Sequence, residues 1–140
     1  MLPSGFILER NQIPSALEVN KLLASCKEPT YSPRRLSLAM EKSFCNLSIL
    51  EEKTGKLFGF VRATSDKGLN ANLWNLSAQP GMNQQRFLEI LINRSLMILR
   101  REMPGCSISI AAPQSSIQIL QSQGFLLDPA GIRAMGYNLR

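Results

Sequence analysis

Histidine does not occur in this chain of 140 residues. Its imidazole is the side chain most often used as a base near neutral pH, and it is the commonest nitrogen ligand of zinc in proteins. The sequence therefore excludes catalytic triads that depend on histidine, together with metal sites built on imidazole.

Cysteine is scarce, since the chain has only Cys26, Cys45 and Cys106. They lie far apart, and no C-x-x-C pair suggests a redox motif or a zinc knuckle. We expect them to be small buried apolar groups rather than nucleophiles, because a nucleophilic thiol needs an activating partner such as histidine. Unpaired cysteines suit a reducing compartment, so the expected location is the cytoplasm.

Long apolar runs are also missing. The longest apolar stretch, 87–99, is interrupted by Glu89, Asn93 and Arg94 and is too short to cross a bilayer. Residues 3–10 lack both the basic start and the long apolar segment of a secretory signal. We therefore predict that the protein has no membrane span and is not exported.

Acidic residues are outnumbered, because 16 Lys and Arg stand against 10 Asp and Glu and give a formal charge of +6. Such a charge favours anionic partners in general. The basic residues are scattered apart from the pairs Arg34-Arg35 and Arg100-Arg101, and aromatic residues that could stack on bases make up 6% of the chain. A nucleic-acid-binding module is therefore the weakest of our three interpretations.

The sequence does contain 44% hydrophobic residues, without repeats or linker-like runs, which predicts a single domain over 1–140. The apolar periodicity predicts a mixed α/β fold with three consecutive antiparallel strands and flanking helices. Gly55 is expected to make the first hairpin turn, and Gly124 to end the last helix in a left-handed cap against Phe125. A ligand is expected at 78–87, where a strand end meets a helix N-terminus. In order, the predicted elements are a strand at 6–8, helices at 14–25 and 33–42, strands at 44–50, 57–64 and 69–78, a helix at 84–101, a strand at 106–111, a short helix that ends before residue 124, and an edge strand at 133–139.

Four runs of residues resemble a known family: 59–66 (GFVRATSD), 73–80 (LWNLSAQP), 123–125 (QGF) and 128–132 (DPAGI). They are similar to the GNAT superfamily of acyl-CoA N-acyltransferases, specifically to its cyanobacterial and plastid branch, and the similarity covers essentially the whole chain. The resemblance implies a mostly antiparallel, splayed sheet flanked by helices. It also implies transfer of an acetyl group from acetyl-CoA to a small-molecule amine or a protein amino group.

The resemblance places the cofactor at the end of one strand and the start of the next helix. The pantetheine arm would pair with the backbone of Leu76, Ser77 and Ala78, and the pyrophosphate would lie on the following helix N-terminus. The family has Gln or Arg there, followed by Gly-x-Gly-x-Gly or Ala, which lets the backbone approach the phosphates closely. In this chain the matching positions contain no glycine and are occupied by Asn83, Gln84, Gln85, Arg86, Phe87 and Leu88.

Two interpretations of this substituted loop remain open. Arg86 can contact a phosphate through its side chain, with Asn83 in a left-handed conformation. Alternatively, Gln84, Gln85 and Arg86 only cap and solvate a structural helix.

The positions that carry the family's chemistry are also substituted. The branch has Asp after the strand Trp and Tyr four residues before the Gly-Phe pair, whereas this chain has Asn75 and Leu120. An amide is not a base, and an isobutyl group has no proton to donate. Alignment of amine and thioester contributes more to the rate than one acid or base, which is worth about 10²–10⁴-fold, so slow transfer would survive if the cofactor binds.

The residues thus support two leading functional interpretations. The first is an acetyl-CoA-dependent N-acetyltransferase with an altered cofactor loop. The alternative is a catalytically silent GNAT-fold domain that binds a partner or has a structural role, and that forms a homodimer through its C-terminal strand.

Other polar residues carry separate expectations. Trp74 is predicted to anchor the core or a sheet face rather than to form a substrate platform. Arg62 is expected to pair with Asp66 or an edge carboxylate, or else to contact a ligand. Three carboxylates are candidate substitute bases, although charges at hairpin turns are usually solvated. They are Glu41, Glu51 and Glu52.

Overall fold

The fold, seen in a computed structural model that describes residues 2–139, is a mixed sheet covered by helices on both faces. Its strands are β1 (Phe6–Arg10), β2 (Cys45–Glu51), β3 (Leu57–Ser65), β4 (Asn70–Ala78) and β5 (Ser107–Ile110). They lie in the order β1-β2-β3-β4-β5, antiparallel except for the parallel pair β4 and β5. The helices are α1 (Ala16–Ser25), α2 (Pro33–Lys42), α3 (Gln84–Glu102) and α4 (Ile117–Ser122), with 3₁₀ turns at Gln114–Ser116 and Pro129–Gly131. The predicted fold class is confirmed.

Each face of the sheet has its own apolar core, because successive strand residues point to opposite faces. Phe60 on β3 packs among buried residues of α1 and α2. Its neighbour Val61 belongs to the larger core that contains Leu91 and Leu99 of α3. Burying a side chain of this size contributes about 1.5–3 kcal/mol, so both helical layers are held to the sheet by its central strand.

The first two helices begin at serine caps. Ser15 Oγ accepts a hydrogen bond of 3.1 Å from the backbone N–H of Glu18, and α1 therefore starts at Ala16. The predicted start at Pro14 is wrong by two residues, because that proline lies ahead of the cap. Ser32 caps α2 in the same way, and Pro33 occupies the first turn as predicted.

The glycines expected at turns are where the backbone requires them. Gly55 has φ +74° in the β2–β3 turn. Gly124 has φ +101° after α4, and the next N–H, that of Phe125, donates to the carbonyl of Leu120 at 3.0 Å. This six-to-one hydrogen bond defines a Schellman cap, and the predicted end of the helix is confirmed.

The predicted edge strand at 133–139 is wrong. These residues have no regular secondary structure, and Met135 and Tyr137 are 96% and 90% exposed. Alternation of apolar residues does not by itself form a strand, because a strand also needs a partner and a buried face. Within residues 2–139, the strand through which a dimer was expected to form is therefore absent.

The described part of the chain contains no helix that is long and apolar enough to cross a membrane.

Candidate active site

The sheet opens between β4 and β5. These strands pair only from Asn70 to Leu73, opposite Ser107 to Ile110. Beyond Leu73, β4 continues to Ala78 while β5 ends. The two segments therefore separate and leave a cleft of about 220 Å³. The cleft is lined by Leu23, Glu28, Pro29, Tyr31, Trp74, Asn75, Leu76, Ala111, Ala112 and Pro113.

A bulge in β4 directs Asn75 into this cleft. The pairing of β3 with β4 shifts between Phe60 and Arg62, and Asn75 takes φ +60°. A left-handed residue in a strand costs of order 1 kcal/mol, and asparagine adopts this conformation more readily than most residues do. Such strain is common where a backbone positions a functional side chain.

Asn75 connects a cation to a phenol. Arg62 Nε donates a hydrogen bond of 2.7 Å to Asn75 Oδ1, and Asn75 Nδ2 donates to Tyr31 Oη at 3.5 Å. We call these three side chains the Arg62–Asn75–Tyr31 network. At the position where the family has a carboxylate, this chain has an amide that bridges two neighbours and is not a base.

Tyr31 is fixed through its backbone. Asn20 on α1 donates from Nδ2 to the Tyr31 carbonyl at 2.8 Å and accepts from the Tyr31 N–H at 3.0 Å. This two-bond clamp holds the α1–α2 connection against the cleft. Sequence reasoning missed Tyr31, because only the tertiary contacts of a connecting loop bring it to the cleft; its one local signal is an aromatic residue in an otherwise polar, proline-flanked stretch.

Glu28 is positioned by the end of α1. Lys27 has φ +58°, its N–H donates to Ala24 O, and the N–H of Glu28 donates to Leu23 O. This is a Schellman cap with lysine in the place that glycine usually takes. The cap turns the chain sharply and brings Glu28 to the wall of the cleft.

The candidate bases named from the sequence are not at the cleft. Glu51 accepts a hydrogen bond of 2.7 Å from Thr54 Oγ1 in the β2–β3 turn, and neither Glu41 nor Glu52 lines the cleft. Glu28 is the carboxylate that does. The three candidate carboxylates therefore lie away from this cleft, and the expectation that charges at the hairpin turn are solvated agrees with the exposure of Glu52.

Arg62 is half-buried, and no carboxylate among residues 2–139 forms an ion pair with it. Its guanidinium contacts Asn75, the Ser43 hydroxyl at 3.3 Å and the Trp74 ring at 5.8 Å. Burial lowers the pKa of Arg62, and the nearby Tyr31 opposes that shift. The expected pairing with Asp66 is wrong, because the Asp66 carboxylate accepts three backbone N–H bonds within its own turn.

Trp74 is at the mouth of the cleft. Its indole N–H donates to Thr64 Oγ1 at 2.7 Å, and 38% of its surface is exposed. The predicted placement in the core is wrong: Trp74 contacts the neighbouring strand at the face of the sheet, and it also lines the cleft, where a substrate platform was the alternative. The β4 bulge accounts for the difference, since it shifts the register at this point of the strand.

The residues expected to meet the cofactor arm form the end of β4. Leu76, Ser77 and Ala78 are all buried. The Ala78 carbonyl already accepts two hydrogen bonds, from Cys26 Sγ at 3.1 Å and from Gln84 Nε2 at 3.0 Å. An incoming group that pairs with this carbonyl must displace at least one of them.

The expected phosphate loop is the first turn of α3. Asn83 has φ −97° and makes no side-chain cap, so it is not left-handed, whereas Gly81 has φ +147°. The side chains of Phe87 and Leu88 are 1% and 3% exposed and belong to the core. The N-terminus of a helix favours an anion, so the start of α3 at Gln84 and Gln85 is where one could bind.

Arg86, expected to contact a phosphate, forms an ion pair of 3.7 Å with Glu89 in the next turn. It lines a second cleft, of about 290 Å³, together with Asn93 and Arg94. Leu120, at the position of the family's tyrosine, is 2% exposed within the core. Neither residue lines the cleft between β4 and β5.

The cysteines agree in part with the sequence prediction. Cys45 is buried, and burial raises the pKa of its thiol. Cys26 and Cys106 are only partly buried. Across residues 2–139 no three carboxylate or thiol side chains gather as a possible metal site.

Two relatives illustrate what the chain is similar to. The Uncharacterized N-acetyltransferase ycf52 of Gracilaria tenuistipitata var. liui is 31% identical over 104 residues, which cover 73% of this chain and 57% of that protein. GCN5-related N-acetyltransferase 1, chloroplastic, of Arabidopsis thaliana is 26% identical over 133 residues, covering 94% of this chain and 66% of that protein. The chain spans 57% to 59% of the length of the ycf52 proteins it matches. No family model matches the sequence.

The fold has a close counterpart among solved structures. A protein of unknown function from Staphylococcus aureus, described as a probable acetyltransferase, superposes with a TM-score of 0.83 at 10% identity, over 95% of this chain and all of that one. At this identity the match concerns the fold alone. Together with the splayed sheet, it shows the α/β fold of GNAT acetyltransferases. The relatives named N-acetyltransferase and this fold together support the GNAT superfamily of acyl-CoA N-acyltransferases as the class to which the chain is similar.

Proposed function

We propose that this chain transfers an acetyl group from acetyl-CoA to an amine, with the reacting atoms in the cleft between β4 and β5. The observation that carries the proposal is the separation of these two strands beyond Leu73, which leaves the backbone of Trp74 to Leu76 facing a cleft. The relatives named N-acetyltransferase support it.

The residues present fit acetyl-CoA along the open strand, but one backbone acceptor there is already hydrogen-bonded. Backbone groups of Leu76 to Ala78 lie at the strand end that the resemblance assigns to the pantetheine arm. The first turn of α3 offers N–H groups to an anion. That acceptor is the Ala78 carbonyl oxygen, to which the side chains of Cys26 and Gln84 already donate hydrogen bonds. Displacing one such hydrogen bond costs about 1 kcal/mol, which weakens binding about fivefold without preventing it.

Bound acetyl-CoA would supply an activated thioester, so that the amine nitrogen forms the new C–N bond while the C–S bond breaks and the proton lost by nitrogen ends on the thiol. The chain's own contribution is alignment of the reactants and a charged cleft wall. Glu28 attracts the amine in its cationic form and can accept the proton that the amine must lose. Tyr31 presents a hydroxyl that can donate a hydrogen bond.

Calorimetric titration with acetyl-CoA and with CoA tests this proposal. Saturable micromolar binding of both, followed by CoA release when an amine is added, is the expected result. Absence of binding at millimolar acetyl-CoA would overturn it. Adenosine serves as the control, since it lacks both the pantetheine arm and the phosphates of CoA.

A second function, a catalytically silent domain that binds a partner, is favoured by a different observation. The double occupancy of the Ala78 carbonyl and the ion pair of Arg86 with Glu89 both use groups that a cofactor would need. A chain with this function would bind neither acetyl-CoA nor CoA in the same titration. The expected homodimer stays a proposal, which sedimentation of the purified protein can test.

The cytoplasm is the proposed location, since three unpaired cysteines suit a reducing environment. The Arabidopsis relative is named chloroplastic, which makes a plastid the alternative compartment.

A further inference from the structure

A charge that is partly removed from water normally has a partner of opposite sign, and the half-buried Arg62 has none among residues 2–139. Its three contacts are an amide oxygen, a hydroxyl and an aromatic ring, all of them neutral. Among residues 2–139, no carboxylate lies within ion-pair distance of its guanidinium. Removing a charge from water without such a partner is costly, so the position calls for a reason beyond packing.

The surroundings hold Arg62 in one orientation. Nε donates to Asn75, Nη1 donates to Ser43, and Cζ lies 5.8 Å from the centre of the Trp74 ring. A guanidinium has five N–H donors, so these contacts leave donors for a further acceptor. The fixed planar fork matches a carboxylate better than any other common group in proteins.

Arg62 also lies beside the cleft. Asn75 and Trp74, which it contacts directly, both line the cleft, and Tyr31 is linked to it through Asn75. The expected cofactor residues Leu76 to Ala78 continue along β4 away from Arg62, which pairs with Trp74 at the near end of the bulge. Arg62 is not itself one of the lining residues, but it contacts two of them, Trp74 and Asn75, at the part of the cleft that remains for the acceptor.

We propose that Arg62 binds a carboxylate of the acceptor, so that the substrate is an amine that also carries a carboxylate, as amino acids and related zwitterions do. The inference rests on the function proposed above, because only that function makes the occupant of the cleft an acceptor. Glu28, which lines the same cleft, complements the amine end of the same molecule. Amines of equal size that have no carboxylate would lack the contact that Arg62 provides.

Trp74 is the single tryptophan of the chain and lies beside the Arg62 guanidinium, so its fluorescence reports binding at this point without any cofactor. The probes are γ-aminobutyrate and phenylalanine, each compared with the matching amine that lacks the carboxylate, butylamine and phenylalaninamide. We expect at least one carboxylate compound to change the emission saturably and to bind about tenfold more tightly than its match without a carboxylate. Equal binding within both pairs, or no saturable change with any of the four, would overturn the inference.

Variants make the assignment specific to one residue. Arg62→Gln should remove the preference for the carboxylate compound, and Arg62→Lys should keep only part of it, because a single ammonium cannot form the two-bond contact. Arg100→Gln, on the exposed end of α3, is the charge-matched control and should keep the preference. A preference that persists in Arg62→Gln overturns the inference. Because the readout needs no acetyl-CoA, a failed cofactor titration and a failed carboxylate preference are separate results.

Discussion

The side chain of Gln84, the first residue of α3, donates a hydrogen bond of 3.0 Å to the carbonyl oxygen of Ala78, the last residue of β4. This side-chain hydrogen bond links the end of β4 to the start of α3. Gln84 stands where the family pattern has a glycine, so the substitution adds both volume and a competing donor at the proposed cofactor arm.

Gln84→Ala is expected to strengthen acetyl-CoA binding. The change removes the competing donor from the Ala78 carbonyl, and alanine is well tolerated at a helix start. A hydrogen bond worth about 1 kcal/mol corresponds to about a fivefold gain in affinity. Titration calorimetry of both proteins measures it.

Gln121→Ala is the matched control for this experiment, because Gln121 is an exposed glutamine of α4 that lines neither cleft. It should leave the affinity unchanged. Weaker binding by Gln84→Ala than by the unchanged protein would mean that the amide helps to hold the cofactor instead of competing with it.

Much of the fold could be predicted from local signals. Ser15, Ser32 and Gly124 cap helices through hydrogen bonds to residues close in sequence, which makes these helix ends predictable. In β4, the alternation of buried and more exposed side chains indicates which residues face the core. The cleft could be predicted only in part. Asn75 was found through the family pattern, whereas Tyr31 and Glu28 reach the cleft through the long-range packing of α1 and the loop after it.

The failures have a common physical origin. Residues 133–139 do not form the expected edge strand, because a strand needs a partner strand and a buried face, whereas Met135 and Tyr137 are exposed. The expected pairing of Arg62 with Asp66 is also not formed. It fails because three backbone N–H groups in the turn satisfy that carboxylate first.

Asn20→Ala should loosen the α1–α2 connection without unfolding the domain. The substitution removes both hydrogen bonds that hold the backbone of Tyr31, and alanine suits the exposed face of α1. We expect the Tyr31 amide to exchange its hydrogen at least tenfold faster, while amides of β3 keep their protection. Hydrogen exchange followed by NMR measures both.

Asn20→Asp separates the two bonds of the clamp. Its carboxylate can still accept from the Tyr31 N–H but cannot donate to the Tyr31 carbonyl. Exchange at Tyr31 should therefore stay slower than in Asn20→Ala. If Asn20→Ala left the Tyr31 amide as protected as before, the loop would be held by something other than this clamp.

Asp66 links the stability of the β3–β4 turn to pH. Its carboxylate accepts from the N–H groups of Gly68, Leu69 and Asn70, and these bonds lower its pKa. A carboxyl group with a lowered pKa in the folded state stabilises that state above its unfolded pKa of about 3.9. This stabilisation is lost as the pH falls through the folded value.

Asp66→Asn should reduce this contribution, because the amide keeps an acceptor oxygen but has no charge to titrate. Urea unfolding midpoints at neutral pH and below about pH 4 should differ less for the variant than for the unchanged protein. Lys67→Gln, on the same exposed turn, is the control and should keep the full difference. Identical pH dependence in Asp66→Asn and the unchanged protein would show that the turn does not contribute to acid sensitivity.

Gly59 on β3 is required by packing rather than by backbone conformation. A Cβ placed on it would lie 3.1 Å from Leu91 Cδ1 and 3.2 Å from Ile49 Cδ1. Both neighbours are fully buried and cannot move into solvent. Gly59→Ala is therefore expected to destabilise the protein by about 1–3 kcal/mol, even though alanine is favoured over glycine in strand interiors by about 0.5–1 kcal/mol.

Thermal and urea unfolding measure this cost, and Gly136→Ala is the matched control because a Cβ there meets nothing within 4 Å and its φ is not positive. The double variant Gly59→Ala, Leu91→Val should recover part of the loss, since valine is shorter and withdraws the terminal carbon that the new methyl group would meet. Gly59 pairs directly with Ala78, so a shift of β3 would also move the strand end proposed to bind the cofactor. A Gly59→Ala protein as stable as the Gly136→Ala control would mean that α3 can move away from the sheet at little cost, and that the core beneath the site is more adaptable than its burial suggests.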